Sequence, residues 1–331
     1  MMTEEILELF RRSKSALILS HHNPDGDALG SSAGLALTLG EYGCRAAVHL
    51  AGSWSEHLGF LIEGLEIDDR LDDPARYDLA VLLDCHSFDR LGPGGRKVAG
   101  KLRKVSPQAP LVVVDHHLLA EDEEVENTWV VRPEASSTGE MVWELLKSLE
   151  WTPPPAAVRA LLMAISTDTG FFSQTNTTPG SLRAAADLVA LGGDLEEVNR
   201  RVKETRPLRA LKLKGAVLES LEVRFDGRLA VMVVTPEMLA KTGAVMADTE
   251  NFVEMGRDLT GVTLSVLVKD SGGGPGTVRV SLRSRRGVDA QGLAKLFGGG
   301  GHRQASAYND PQAAGAAEAV QNLLDKAEAF L

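Results

Sequence analysis

The sequence predicts an α/β fold, with a mostly parallel sheet in its N-terminal part and a smaller α/β unit after it. Three strings rich in Asp and His each follow an apolar run: HHNPDGD (21–27), DCHSFDR (84–90) and DHH (115–117). The apolar runs are SALILS (15–20), DLAVLL (78–83) and PLVVV (110–114). Continuous apolar runs of this length are typical of strands buried on both faces of a parallel sheet, and ligands bind outside the carboxyl ends of such strands. The three strings therefore predict one polar pocket at one edge of the sheet.

Helical patterns alternate with these strands, which is the order of βαβ units. The patterns are GSSAGLALTLGEYG (30–43), TGEMVWELLKSLE (138–150) and AVRALLMAI (157–165). We expect Gly30, Ser31 and Ser32 to begin the helix that follows the HHNPDGD string. Two further helical patterns fill residues 181–204 and lead to TRP (205–207), where we place the connection between two domains.

Strand patterns return in the last third of the chain. They are LEVRFDGRLAVMVV (221–234), GVTLSVLVKD (261–270) and TVRVSLRS (277–284). The Gly-rich SGGGPG (271–276) predicts a hairpin loop between the last two. We therefore expect a first domain over residues 1–190, a helical linker over 191–207 and a second domain over 208–331.

The charge of the chain is uneven and argues against one class of partner. The net charge is −11; residues 1–206 carry 20 basic and 32 acidic side chains, and residues 207–331 carry 15 and 14. Affinity for long nucleic acid comes chiefly from Lys and Arg that neutralise phosphates, so this balance argues against a protein that coats long duplexes. An acidic part that could bind cations, joined to a near-neutral part with an Arg cluster, suits a small phosphorylated substrate held between two domains.

Two more features limit the class of protein. No apolar run reaches the roughly 18 residues of a membrane span, and MMTEEILELF at the N-terminus has acids where a secretory signal has basic residues. We therefore expect a cytoplasmic protein with no membrane partner. Cys44 and Cys85 are the two cysteines, too few for a disulfide framework or a thiolate zinc cluster. Cys85 is expected to be a small buried residue rather than a ligand.

The first string offers three metal ligands close together. His21, Asp25 and Asp27 lie within one stretch of seven residues, and the intervening Pro24 and Gly26 predict a turn that can aim them at a common point. A helix cap would explain one carboxylate, but it would not explain a His and two carboxylates together. We therefore interpret the string as metal-binding.

Other candidates follow the second and third runs and a helix. Asp84 ends the second run, and Asp115, His116 and His117 end the third; Asp168, in STDTGFF (166–172), follows the helical pattern 157–165. Mixed imidazole and carboxylate donors suit Mn²⁺ and differ from a thiolate zinc site. The candidate ligands are sufficient for two ions that share a carboxylate: His21, Asp25, Asp27, Asp84, His116 and Asp168.

The C-terminal part offers candidate substrate-binding residues. In TVRVSLRS the apolar residues alternate with Arg279, Ser281 and Arg283, so one face of the strand is apolar and the other is cationic. A solvated outer face would explain any single Arg. However, LAKLFGGGGHRQAS follows, and its glycines free the backbone to approach a ligand near His302. Arg can hold a phosphate through two parallel hydrogen bonds.

These strings resemble a known family. The series HxxPDGDAxGS (21–31), DCHSFDR (84–90), DHH (115–117) and TDTGFF (167–172) is similar to the four motifs of the DHH phosphoesterase superfamily. GGGGH (298–302) resembles the closing motif of its DHHA1 C-terminal domain. The length resembles the nanoRNase and pAp phosphatase branch. The resemblance implies a DHH catalytic metal-binding domain, followed by a DHHA1 substrate-binding domain.

The resemblance also implies a role for each candidate. His21 and Asp25 would hold one Mn²⁺, and Asp27, His116 and Asp168 the other, with Asp84 between them. Asp115 would orient the His pair, and His117 would face the scissile phosphate or the leaving group. Arg283 and His302 would bind the terminal phosphate or base of a short nucleotide, and Ser281, Gly300 and Gly301 are further candidate substrate-binding residues.

The implied function is a phosphoesterase with two Mn²⁺ ions that cleaves short RNA to mononucleotides and removes phosphate from pAp. A linear pApA or cyclic-dinucleotide phosphodiesterase, a RecJ-like single-strand exonuclease and an inorganic pyrophosphatase are alternatives within the superfamily. A nucleotide sensor without turnover, or a structural metal site, is the alternative outside enzymes. Family members are often dimers, so a homodimer is a further expectation.

Overall fold

A computed structural model gives the fold. It describes residues 3–54, 56–71, 76–92, 98, 100–101, 110–117, 128–203, 206–285 and 287–331, and of residues 56, 57, 128, 129, 203 and 302 it describes the backbone. The chain divides into two compact units, Met1–Thr205 and Arg206–Leu331. None of the described helices combines the length and the apolar composition that crossing a membrane requires.

The described strands of the first unit form a parallel sheet of six, which confirms the predicted α/β class. They are β1 (Ser15–Leu19), β2 (Arg45–His49), β3 (Glu66–Ile67), β4 (Leu79–Leu83), β5 (Leu111–Asp115) and β6 (Thr128–Val131). Their order is β3-β2-β1-β4-β5-β6, and every residue of β4 and β5 is buried. From β1, the strands β2 and β3 follow toward one edge of the sheet, and from β4, the strands β5 and β6 follow toward the other edge. The carboxyl ends of these two neighbours are therefore the switch point at which open α/β sheets bind ligands.

Helices described in the first unit pack against this sheet and against one another. They are α1 (Glu4–Arg12), α2 (Gly26–Glu41), α3 (Thr138–Ser148), α4 (Pro155–Asp168), α5 (Pro179–Ala190) and α6 (Leu195–Lys203). Short 3₁₀ helices occupy Glu56–Leu61 and Phe88–Leu91.

Glycines let α2 lie directly against α4. A Cβ atom on Gly26 would lie 2.5 Å from Oγ1 of Thr167, and one on Gly30 would lie 2.5 Å from the carbonyl oxygen of Ala160. The residue order of these contacts runs in opposite directions along the two helices. The start of α2, which follows β1, is therefore placed beside the end of α4, where Asp168 lies.

The second unit contains a second sheet. Its strands are β7 (Glu222–Arg224), β8 (Leu229–Val234), β9 (Leu264–Lys269), β10 (Arg279–Ser284), β11 (Gly300–His302) and β12 (Ala305–Asn309), in the order β11-β12-β10-β9-β8-β7. β8 and β9 are parallel and the other pairs are antiparallel. The helices are α7 (Leu208–Glu219), α8 (Pro236–Thr242), α9 (Ala290–Lys295) and α10 (Ala316–Ala327), with 3₁₀ helices at Met246–Thr249, Phe252–Asp258 and Glu328–Phe330.

Three local predictions need comment. The hairpin at 271–276 is confirmed, because β9 and β10 pair antiparallel around it. The prediction that Gly30 begins the second helix is wrong, since the helix begins at Gly26 and Asp25 caps it. The strand pattern over 221–234 corresponds to two strands, because Phe225 and Asp226 adopt positive φ and turn the chain between β7 and β8.

Candidate metal centre

Asp25 and Asp27 lie at the start of α2 and have different partners. Oδ1 of Asp25 accepts hydrogen bonds from the backbone N–H groups of Asp27 at 3.0 Å and Ala28 at 3.1 Å, so it caps the helix. The Asp27 side chain is buried and accepts hydrogen bonds from the N–H groups of Thr138 at 2.7 Å and Gly139 at 2.9 Å. The first turn of α3 thus fixes Asp27, whereas most of the Asp25 side chain is exposed, at 59%.

Asp84 lies between two histidines at the end of β4. Its backbone is left-handed, with a φ of 59°, a conformation that Asp and Asn adopt more readily than most residues. Oδ2 lies 3.4 Å from Nε2 of His21, and Oδ1 lies 3.5 Å from Nε2 of His116. The hydroxyl of Thr138 donates a hydrogen bond to Oδ1 at 3.0 Å. The two oxygens therefore face different imidazoles.

His116 and Asp168 complete the group. Nε2 of His116 lies 3.6 Å from Oδ2 of Asp27 and 3.7 Å from Oδ2 of Asp168. Asp168 is the last residue of α4, and three left-handed residues, Gly170 to Phe172, follow shortly after it. Nδ2 of Asn176 donates hydrogen bonds to the Asp168 carboxylate at 3.2 Å and to its carbonyl at 3.0 Å. These contacts position the Asp168 carboxylate near Nε2 of His116.

The cluster contains three overlapping sets of candidate ligands. In each set, one donor atom from every residue lies within 4.8 Å of the others; the sets are His21–Asp25–Asp84, Asp27–His116–Asp168 and Asp84–His116–His117. Imidazole nitrogens and carboxylate oxygens suit Mn²⁺ and similar divalent cations, and none of the sets includes a cysteine. The described residues thus contain a candidate divalent-metal site, and every ligand predicted from the sequence lies in it.

The electrostatics of the carboxylates fit a cation. Burial raises the pKa of Asp27 well above its usual value, and the charges of Asp84 and Asp168 raise it further. Burial also raises the pKa of Asp168 to about 7, although His116 opposes this. For Asp84, burial is outweighed by hydrogen bonding from His116 and His21, which holds the pKa well below its usual range. A cation among these side chains would relieve the repulsion between the acids.

Nearby carboxylates, Asp84 among them, raise the pKa of both His21 and His116. Burial disfavours the protonated form of both, but the interaction with Asp84 and the charges of nearby acids outweigh it. The pKa of His21 is raised to about 9 and that of His116 to about 10. Each imidazole must lose a proton before it can coordinate a metal.

Asp115 joins two histidines behind the cluster. Its Oδ1 lies 2.7 Å from Nδ1 of His117, and its Oδ2 lies 2.6 Å from Nδ1 of His86. Burial would raise the pKa of Asp115, but these two hydrogen bonds hold it well below its usual range. The sequence interpretation paired Asp115 with the His pair and missed His86. Its signal was present, because His86 lies two residues after Asp84 in DCHSFDR.

Arg90 is the second residue that the sequence interpretation missed. It lies in the 3₁₀ helix Phe88–Leu91, and its Nη2 lies 3.3 Å from Nε2 of His117. Its carbonyl accepts a hydrogen bond from the backbone N–H of His22 at 2.6 Å. The available signal was again in DCHSFDR, which ends with this Arg. Cys85, in the same string, is buried, as expected.

The predicted substrate residues lie on one face of the second sheet. Arg279, Ser281 and Arg283 alternate with buried residues along β10, and Arg279 pairs with Lys269 of β9. Nε of Arg283 donates a hydrogen bond to Oε1 of Glu254 at 3.0 Å. Burial lowers the pKa of Lys269 to about 8, and Arg279 and Arg283 lower it further. This cationic face exists as the alternation predicts, although Arg283 already has an acidic partner.

The glycines before His302 differ in the space around them. A Cβ atom on Gly301 would lie 2.6 Å from the carbonyl oxygen of Ala305, and its φ is 131°. A Cβ atom on Gly300 would meet nothing within 4 Å. The backbone of His302 pairs with Ala305, and its side chain lies outside the described part of the structure. Space for a ligand is therefore present at Gly300, whereas Gly301 is required by the close pairing of β11 and β12.

Comparison with known proteins identifies the family. Residues 15–167 match the DHH family, N-terminal domain, and residues 226–331 match the DHHA1 domain. A bifunctional oligoribonuclease and PAP phosphatase, NrnA, from Thermus thermophilus is 33% identical over 293 residues, which cover 86% of this chain and 81% of the relative. The chain belongs to the DHH phosphoesterase superfamily.

Two other proteins resemble this DHH phosphoesterase over most of its length. The bifunctional oligoribonuclease and PAP phosphatase NrnA of Bacillus subtilis is 27% identical over 308 residues, covering 92% of each chain. The crystal structure of an exopolyphosphatase-related protein from Bacteroides fragilis has a TM-score of 0.86 and 26% identity, and covers 98% of this chain and 94% of that one. The match to the DHH domain includes every candidate ligand except Asp168, which follows it directly.

Proposed function

We propose that the protein is a Mn²⁺-dependent phosphoesterase that releases mononucleotides from short oligoribonucleotides and dephosphorylates pAp. The observation that carries the proposal is the division of the Asp84 carboxylate, with one oxygen facing His21 and the other His116. A carboxylate placed in this way can serve two ions at once. The activities named for the NrnA relatives, which cover most of the chain, support the choice of substrates.

The proposed ligand sets follow from the distances. His21, Asp25 and Asp84 would hold one ion, and Asp27, Asp84, His116 and Asp168 would hold the other. Two such ions lower the pKa of a bound water and neutralise charge on the phosphoryl oxygens. The chain itself keeps the ligands in place. The first turn of α3 fixes Asp27, and Thr138 fixes Asp84.

The proposed substrate contacts lie in the second unit. Lys269, Arg279 and Arg283 place three cations on one face of the sheet, beside Ser281. A terminal phosphate is the natural partner for such a face, because Arg and Lys form charge-assisted hydrogen bonds with phosphate oxygens. We further propose that His302 contributes to this contact, with Gly300 allowing the nucleotide to approach the backbone.

A substrate competition tests the proposal. Purified protein loaded with Mn²⁺ receives pAp, pApA, an RNA of about five nucleotides and one of about 24, the second being longer than the roughly 4–16 nucleotides of a single-strand binding site. Products are followed by chromatography, and an Asp84→Asn variant serves as the inactive control. We expect the short species to disappear while the longest RNA is spared.

The outcomes separate the proposal from its alternatives. Preference for the 24-mer would favour a RecJ-like exonuclease. Conversion of pApA alone would indicate a dinucleotide phosphodiesterase. Binding of Mn²⁺ and nucleotide without any product would overturn the enzymatic proposal and support a sensor.

A further inference from the structure

Arg90 brings a guanidinium group to a cluster that is otherwise built of carboxylates and imidazoles. Its Nη2 lies 3.3 Å from Nε2 of His117. The 3₁₀ helix that carries it follows directly from β4 and Asp84. Because the carbonyl of Arg90 accepts a hydrogen bond from His22, its backbone is also tied to the end of β1. Arg90 is therefore held at the same edge of the sheet as the candidate ligands.

The two ring nitrogens of His117 face different partners. An ionised carboxylate can only accept hydrogen bonds, and a guanidinium can only donate them. Nδ1 of His117 faces Asp115 and Nε2 faces Arg90, so the proton is on Nδ1 and the lone pair is on Nε2. Its lone pair is directed at Arg90.

The shape of the guanidinium allows a second contact. Five N–H donors lie in one plane and form a rigid fork that matches phosphate geometry. We propose that Arg90 contacts the scissile phosphoryl group, holding His117 with one N–H and a phosphoryl oxygen with another. The inference rests on the proposed phosphoesterase function and adds a residue to which no role has been assigned.

The contrasting explanation is that Arg90 only positions His117. The two explanations differ in what happens to inorganic phosphate, the simplest fragment of any phosphate ester. A residue that touches the phosphoryl group contributes to phosphate binding, whereas one that only supports His117 does not. Phosphate affinity is therefore the measurement that decides, and it does not depend on turnover.

The experiment compares Arg90→Met and Arg90→Lys with Arg45→Met. Arg45 is a matched control because it begins β2, at the end of the parallel strands that lies away from the candidate ligands. Its side chain is mostly exposed and forms an ion pair with Glu66. Each protein is loaded with Mn²⁺, its metal content is measured, and inorganic phosphate is titrated by calorimetry. We expect Arg90→Met to bind phosphate at least about 10-fold more weakly at unchanged metal content, with Arg90→Lys between it and the wild type. The Arg45→Met variant should match the wild type.

Turnover of pAp gives a second readout. We expect kcat to fall by about 100-fold or more in Arg90→Met, as for loss of one donor to a developing charge. In Arg90→Gly, added guanidinium ion should restore part of this activity, whereas urea, which has a similar shape but no charge, should not.

Wild-type phosphate affinity in Arg90→Met would overturn the inference, even if kcat fell, because Arg90 would then act only through His117. If Arg90→Met does not fold, Arg90→Lys decides in the same way, since it retains the charge but lacks the fork. If the wild type converts none of the nucleotides but its phosphate binding depends on Arg90, the proposed function fails, and Arg90 remains a phosphate-binding residue without a scissile bond to act on.

Discussion

Asp84 is the residue on which the geometry of the cluster depends most. It belongs to two of the three sets of candidate ligands, and its left-handed backbone turns the side chain between His21 and His116. It is 2% exposed, so solvent does not replace its contacts. A change at this position acts on both proposed ions, whereas a change at Asp25 or Asp168 acts on one.

Asp84→Asn should reduce activity to the level of the metal-free protein and lower the amount of bound Mn²⁺. Asn keeps the shape of Asp and tolerates the same backbone conformation, so loss of fold is not expected. Metal analysis and turnover of pAp check this. Asp187→Asn is the control, because that carboxylate lies on the surface near Trp143 and Lys147. Full activity in Asp84→Asn would contradict the shared-ligand geometry.

At the scale of single residues, composition and order of the strings were sufficient to name candidate ligands that lie together in the structure. Each string places Asp and His just beyond a strand or helix, and all six predicted ligands meet in the structure. The roles of His86 and Arg90 could not be predicted in the same way. Both depend on distances to Asp115 and His117, at the end of β5 and just after it, and sequence spacing does not report such distances.

The glycines of α2 determine how closely it approaches α4, and this contact places Asp27 beside Asp168. At Gly30 the atoms in the way of a side chain belong to the backbone of Ala160 and Ala164 and to the Cβ of Ala164. None of them is the end of a flexible side chain, so the helices would have to separate. In contrast, a Cβ atom on Gly40, in the same helix, would meet nothing within 4 Å.

Gly30→Ala should therefore destabilise the protein by about 1–3 kcal/mol, as overpacking in a core does, and weaken Mn²⁺ binding. Gly40→Ala should be neutral or stabilise by up to about 1 kcal/mol, because Ala is the better helix former. Urea unfolding of the two variants, with and without Mn²⁺, is the measurement. Equal stability of the two would show that the helices tolerate the extra methyl group.

The elements were predicted with uneven success, for physical reasons. Continuous apolar runs identified β1, β4 and β5. Strands buried on both faces have apolar residues at nearly every position, and this pattern is easy to find in a sequence. The start of α2 was missed because Asp25 caps the helix and also faces His21. The sequence interpretation treated Asp25 as a metal ligand and did not use it as the helix cap. The break between β7 and β8 was missed because Phe225, not Gly, begins the left-handed part of the turn.

For the molecule as a whole, the metal-free cluster couples stability to pH. His21 and His116 keep protons to about pH 9 and about pH 10 when folded, compared with 6.5 for an ordinary His. Asp168 keeps its proton to about pH 7, compared with 3.8. In all three groups the folded state binds a proton more tightly than the unfolded state. Stability therefore falls as pH rises, between 3.8 and about 7 for Asp168 and between 6.5 and about 10 for the histidines.

Bound Mn²⁺ should reverse this trend, because it takes the place of the protons. We expect the Tm of metal-free protein to fall between about pH 6 and about pH 9, and the rise in Tm on adding Mn²⁺ to grow over the same interval. Thermal unfolding of chelator-treated protein, with and without Mn²⁺, measures both. If the rise in Tm on adding Mn²⁺ is the same at every pH, Mn²⁺ does not displace these protons.

The six predicted ligands come from four separate segments of the chain, and this separation affects the order of folding events. An unfolded chain offers an ion only short local segments, such as 21–27 or 115–117, because the four segments come together after β4, β5 and α4 have assembled. Closing such long loops is entropically costly and comes late. An ion that binds only the complete cluster would leave the folding rate nearly unchanged and would slow unfolding. Resistance to proteolysis would then depend on how much metal is available.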